Sequence, residues 1–289
     1  MFQKLCFFSA IILLFCLNPY CSRTALPELS GVWTRENVAS YGPEAFFVPL
    51  HIYHPRVASI SGRYPLLIAL HGWNERGTDW QKSGIESLAD RYGILVVCPE
   101  MGKANYEREY FPETTLRWNA KPSGVWIKEI LYKYITSRFP ISEKRQKRGL
   151  IGVSTGGHGA LLVAGYYPDL FGFAGMISGD FDVSKTPDDP LAAGSFGPFQ
   201  SFPERWRNGS AVALLNSYAD TRIFVAHGSE DTVAPVSQSR LFSAVFQGLS
   251  EKNKGKYLFE YTETPGAGHG WPYWKTQLEG AVRFFANGF

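Results

Sequence analysis

Residues 150–160, Leu-Ile-Gly-Val-Ser-Thr-Gly-Gly-His-Gly-Ala, constrain this chain more than any other stretch. An apolar run over residues 149–153 meets Ser154 inside Gly-x-Ser-x-Gly, and Ala160-Leu161-Leu162-Val163-Ala164 continues as an apolar helical face. That order, strand, tight turn, helix, is the context in which a serine stands on a strained elbow with its hydroxyl clear of a sheet. Gly152 and Gly156 remove the side chains that would collide where the chain passes close to itself. The hydroxyl then sits beside a helix N-terminus, whose free N–H groups favour negative charge. With 29 glycines in 289 residues the five-residue pattern alone is weak, and the surrounding strand and helix signals carry it.

The composition, 45% hydrophobic and 19% charged, is that of a globular chain. Its length suits one large α/β domain or two small ones. A net charge of +3 without a basic stripe argues against nucleic acid as a partner. The cluster Lys144-Arg145-Gln146-Lys147-Arg148 reads as a solvated turn before a buried strand.

The first residues differ in kind. One lysine precedes a thirteen-residue, mostly apolar run over residues 5–17, the length of a signal peptide and too short for a membrane span. Residues 1–24 are therefore expected to be a leader and the protein to be exported, periplasmic or extracellular. A lipid anchor through Cys21 or Cys16 is the alternative, although the residues before each match a lipoprotein box poorly. Cys98 is the one cysteine beyond the leader, so no internal disulfide is expected in the mature chain. It closes an apolar strand and reads as a buried, inert thiol.

Further along, residues 46–53 alternate as a strand, and residues 65–70 are continuously apolar, as in a strand covered on both faces. A helix capped by Asp79 is expected to about residue 92, then a strand over 94–98, an aromatic-rich loop to about 121 and a helix over 122–139. After the elbow come a strand over 171–178 and an excursion over 179–220 with short helices. Strand 222–227, helix 236–248, strand 256–262 and a closing helix over 274–285 complete the chain. Strands alternating with helices predict an α/β fold, a mostly parallel sheet with helices on both faces, as one domain over residues 25–289.

Serine at its free pKa is a poor nucleophile, so Ser154 needs a base, and the base needs an acid to hold its tautomer. Of six histidines, His51, His54, His71 and His227 end strands, and His158 lies one turn into the elbow helix. His269, in the glycine-rich loop Pro265-Gly266-Ala267-Gly268-His269-Gly270-Trp271 after the last strand, is placed to reach back to Ser154. Glu230 and Asp231 both follow strand 222–227 and either could be the acid. Asp180 and Asp182, one strand earlier, are a further placement. An oxyanion formed in acyl transfer needs two backbone N–H groups. Thr155, directly after the serine, offers one, and the loop His71-Gly72-Trp73 can offer the other through Trp73. No metal-ligand spacing, phosphate loop or dinucleotide fingerprint is present, so neither a metal nor a cofactor is expected.

With these residues in hand, the chain resembles the esterase D-type family of α/β-hydrolases, which includes S-formylglutathione hydrolases, feruloyl and acetylxylan esterases and mycolyltransferases. The resemblance spans about residues 46–289. It rests on Leu70-His71-Gly72, the elbow itself, Tyr167-Pro168-Asp169-Leu170-Phe171, His227-Gly228-Ser229-Glu230-Asp231 and Gly266-Ala267-Gly268-His269. It implies the α/β-hydrolase fold, Ser154 as nucleophile, Asp231 as acid, His269 as base, and Trp73 and Thr155 as the oxyanion hole. Thr155 departs from the Met that many relatives carry, which leaves the backbone donor intact.

The expected activity is that of a secreted serine carboxylic-ester hydrolase working through an acyl-enzyme on a small-molecule ester. The alternative is an acyltransferase that uses the same residues with an alcohol or sugar acceptor. Aromatics at residues 106–126, Phe196, Phe199, Phe202, Trp206, Trp271, Tyr273 and Trp274 could line a pocket for an aryl or sugar ester, or could simply pack.

Overall fold

The computed structural model describes residues 31–41, 45–57, 62–116, 118, 121–253 and 255–289. The expected leader, with Cys16 and Cys21, falls outside these residues.

Among the described residues eight strands form one sheet in the order β1-β2-β4-β3-β5-β6-β7-β8. They are β1 (Val32–Ala39), β2 (Phe47–His54), β3 (Leu66–Leu70), β4 (Leu95–Pro99), β5 (Arg148–Val153), β6 (Phe173–Ile177), β7 (Arg222–Gly228) and β8 (Leu258–Thr264). The pairs β1/β2 and β2/β4 are antiparallel and all others parallel. β1 is not expected from the sequence. It is an edge strand with one buried residue of eight, so it carries little of the apolar signal by which strands are read.

The helices are α1 (Ile85–Tyr92), α2 (Ser123–Trp126), α3 (Lys133–Arg138), α4 (Thr155–Tyr166), α5 (Pro190–Phe196), α6 (Pro203–Asn208), α7 (Ser237–Lys252) and α8 (Trp271–Ala286). A π-helical turn, Ile127–Tyr132, joins α2 to α3 without a break. Asp79 does not cap α1. Its carboxylate accepts the Arg76 N–H at 2.9 Å and opens the short 3₁₀ segment Gly77–Lys82 instead.

The central strands are buried along their whole length because both faces are covered. On one face Leu66, Ile68, Leu70, Leu150, Ala174, Met176 and Val225 pack with residues of the α2–α3 segment, α4 and α7. On the other Leu67, Ala69, Val96, Ile151, Val153 and Phe224 meet Ile85 and Leu88 of α1 and Trp274, Leu278 and Phe285 of α8. Alternate residues of one strand thus feed two different cores, which is the period-two pleat at work. Cys98 is fully buried and free, and burial pushes its thiol pKa up, away from reactivity.

The excursion has a small core of its own. Val183, Ala192, Phe196 and Trp206 cluster with Phe111 and Phe199, and the Trp206 indole donates to the Gly197 carbonyl at 2.9 Å. Phe196 and Trp206, like Trp126 and Trp274, are buried core residues.

Candidate active site

β5 ends at Val153, and α4 starts at Thr155, leaving one residue to turn the chain. Ser154 makes that turn at φ 54°, ψ −127°, a conformation an L-residue adopts only when its surroundings hold it there. The crossing needs bare backbone. A Cβ on Gly152 would stand 2.0 Å from the Gly156 carbonyl oxygen, and one on Gly156 would stand 2.3 Å from the Leu70 oxygen. The Ser154 N–H donates to Ile177 O at 2.8 Å, which ties the turn to β6.

His269 sits between β8 and α8 and Asp231 follows β7. The two loops are strapped together: Glu230 N–H donates to Ala267 O at 2.9 Å, and Gly266 N–H to Ser229 Oγ at 2.9 Å. The straps bring Asp231 Oδ2 to 2.7 Å from His269 Nδ1, while His269 Nε2 lies 3.0 Å from Ser154 Oγ. Three residues that are 115 and 38 positions apart in pairs thus form one hydrogen-bonded line. The His269 ring is held from the side by Trp274, edge to face at 4.9 Å.

Between the two acids that the sequence left open, the geometry is one-sided: the Asp231 carboxylate is buried against His269 and Glu230 is exposed. Burial alone would raise the Asp231 pKa. His227, His269 and the Val233 N–H outweigh it and hold the carboxyl well below the usual range. Asp231 Oδ1 accepts from Val233 and Ala234 N–H, each at 2.9 Å. His227, read from sequence only as a strand end, backs the acid: its Nε2 donates to Ala234 O at 3.0 Å and lies 3.4 Å from Asp231 Oδ2. Its Nδ1 accepts from Ser239 Oγ at 2.7 Å. No periodicity or spacing marks such a role, because it depends on a contact between a strand end and the loop that follows.

The other candidates lie elsewhere. His158 is buried and its Nδ1 donates to the Asp180 carbonyl at 3.0 Å; burial depresses its pKa to about 4. Asp182 caps a 3₁₀ turn by accepting from the N–H and hydroxyl of Ser184. Asp180 Oδ1 is buried without a hydrogen-bond partner among the described residues, and burial, with Asp189 second, raises that carboxyl to about 6.

Thr155 opens α4, and Trp73 lies in the loop after β3. That loop is pressed on the elbow: a Cβ on Gly72 would come 3.1 Å from Ser154 Cβ. His71 fixes its base. Its Nδ1–H donates to Gly72 O at 2.7 Å and its Nε2 accepts the Met101 N–H at 2.9 Å, a neutral tautomer that burial protects by lowering the pKa. Beside the loop opens a cleft of about 610 Å³ walled by Phe46, Phe47, Asn74, Arg76, Met101 and Lys103 among others. Among the described residues no three His, Cys, Asp or Glu side chains gather as a metal site, and no helix is long and apolar enough to cross a membrane.

Comparison with known proteins follows the same line. The chain is 29% identical over 234 residues to the MPT51/MPB51 antigen of Mycobacterium tuberculosis, covering 70% of this chain and 71% of that one. It is 25% identical over 258 residues to S-formylglutathione hydrolase of Mus musculus, covering 82% and 87%. Among solved structures, the fluorophosphonate-binding serine hydrolase FphF of Staphylococcus aureus superposes with a TM-score of 0.66 at 20% identity, covering 88% of this chain and 99% of that one. The family model described as "Putative esterase" matches residues 48–285, most of the chain and every element of the hydrogen-bonded line, so this protein belongs to the esterase family and is a carboxylic ester hydrolase.

Proposed function

We propose that the protein is an exported serine esterase with Ser154 as nucleophile, His269 as general base and Asp231 as the acid that orients it. The observation that carries this reading is the continuous line Asp231–His269–Ser154, at 2.7 and 3.0 Å, ending on a serine held in a strained elbow. Ser154 Oγ attacks the ester carbonyl as its proton passes to His269 Nε2, and the C–O π pair moves onto oxygen. The N–H groups of Thr155 and Trp73 meet that oxyanion. His269 then gives the proton to the departing alkoxide as the C–O bond breaks, leaving an acyl-enzyme. Water, deprotonated by the same imidazole, repeats the sequence and releases the acid. The ionised Asp231 stabilises the imidazolium formed in each half.

The cleft beside residues 74–76 is assigned to the ester's substituent, and its mixed wall of phenylalanines, Asn74, the cations Arg76 and Lys103 and the acids Glu75 and Glu100 suits a polar aryl or sugar ester. Export rests on the apolar run at residues 5–17.

The test is hydrolysis of p-nitrophenyl esters from acetate to long chains and of methyl ferulate, by wild type and Ser154→Ala, with mass spectrometry of a fluorophosphonate adduct. The expected result is one adduct on Ser154 and a loss of about 10⁴-fold or more in kcat in the variant. Retained turnover in Ser154→Ala removes the nucleophile assignment. Adding a sugar or alcohol acceptor separates hydrolysis from transfer: faster acyl consumption with ester product identifies a transferase.

A further inference from the structure

Glu75 stands between the two loops that meet at Ser154, and neither the esterase chemistry nor the sequence reading gives it a part. Its Oε2 accepts the Gly72 N–H at 2.8 Å, and its Oε1 accepts the Trp271 indole N–H at 3.0 Å. Its own N–H closes the turn by donating to Gly72 O at 3.2 Å. The two oxygens of one carboxylate therefore join the backbone that presses on the elbow to a residue two positions past His269.

Both ends of this bridge are anchored. A Cβ on Gly72 would stand 2.8 Å from Glu75 Oε2 and 3.1 Å from Ser154 Cβ, so the bare glycine backbone lies close to both the carboxylate and the serine. At the other end Trp271 packs edge to face on Trp80 at 5.2 Å and on Trp274 at 5.5 Å, and Trp274 in turn touches the His269 ring. Burial holds the Glu75 carboxyl above its ordinary value with Asp79 pushing the same way, and the Gly72 and Trp271 donors and nearby His269 offset this only in part. A partly buried carboxylate is retained here with charge-compatible donors on both oxygens, an arrangement with high geometric specificity.

We propose that Glu75 is a positioning residue: it takes the Gly72 N–H out of play, holds the Gly72–Trp73 backbone against Ser154, and keeps that backbone in register with the His269 loop. The inference rests on the serine-esterase reading of the site. Its effect is on the rate of the step that develops the oxyanion, since the donor it aims meets charge only in the transition state.

The test compares wild type with Glu75→Gln, Trp271→Phe and the double variant on p-nitrophenyl acetate. Gln keeps the shape but has one acceptor oxygen for two donors, so one N–H is left facing an amide NH₂. Glu75→Gln is expected to lower kcat about 10- to 100-fold with KM within about threefold. Trp271→Phe removes one end of the same bridge, so the double variant should lose no more than about twofold beyond the worse single one.

A merely structural glutamate would move the melting temperature and leave kcat alone, and that outcome overturns the proposal. So does full additivity of the two substitutions. A wild-type enzyme that neither hydrolyses the ester nor takes a fluorophosphonate on Ser154 overturns the esterase reading and the bridge's function with it. A working wild type with a silent Glu75→Gln overturns the bridge alone.

Discussion

Asp231 Oδ1 receives the N–H groups of Val233 and Ala234, and this leaves only Oδ2 for His269 Nδ1, 2.7 Å away. The two oxygens are thus not interchangeable, and the loop after β7 dictates which one faces the imidazole.

Asp231→Asn makes that asymmetry measurable. The backbone donors require the amide oxygen at the Oδ1 position, so the NH₂ group must face His269 Nδ1 and impose the tautomer with the proton on Nε2. That nitrogen can no longer take the Ser154 proton. A fall of about 10⁴-fold in kcat is expected in ester hydrolysis, with substrate KM nearly unchanged.

The elbow glycines predict a stability effect at constant chemistry. Gly152→Ala puts a methyl group 2.0 Å from the Gly156 carbonyl oxygen, backbone against backbone, where neither side can swing away. Urea unfolding should show a loss of about 3 kcal/mol or more, or no soluble protein. Gly248 in α7 is the control, since a Cβ there meets nothing within 4 Å. Gly248→Ala should stabilise by about 0.5–1 kcal/mol through helix propensity.

Acid stability should depend on two neighbours that act in opposite directions. The His158 pKa falls from 6.5 to about 4 on folding, so the unfolded chain binds the extra proton between those pH values and stability is lost as pH falls through that window. Burial raises the Asp180 carboxyl from 3.8 to about 6, so the folded chain binds its extra proton there and stability is gained as pH falls. The two partly cancel in the wild type. Asp180→Asn is expected to steepen the acid loss, and His158→Asn to flatten or reverse it. Unfolding free energies at pH 7, 6, 5 and 4 check both slopes.

The excursion should come apart without the sheet. Trp206 is fully buried among Phe196, Phe199 and Val183, apart from the two main cores. Trp206→Ala removes about 3–5 kcal/mol of local packing. Limited proteolysis is expected to cut within residues 183–209 while the sheet stays protected, since such a satellite core opens as its own unit.

Much of this architecture was legible because its signals are local. Continuous apolar runs at Leu66–Leu70 and Phe173–Ile177 mark strands with both faces covered, and the glycines around Ser154 mark a crossing that no other residue permits. β1 was not legible, because an edge strand with one covered residue has no apolar pattern to show. The aromatics of residues 179–220 could not be sorted into wall or core, as a buried ring and a pocket ring are written with the same letters.

The sequence by itself determined the elbow, the alternation of strands and helices, and the short list of serine, histidine and acid from which the site is drawn, since each follows from the steric and apolar character of neighbouring residues. Tertiary structure put Asp231 rather than Glu230 against His269, set His227 behind that carboxylate and joined Glu75 to Trp271, 196 positions away. Those choices turn on which loops the parallel sheet brings to one edge and on ångström-scale donor and acceptor geometry, and nothing local in the chain encodes either.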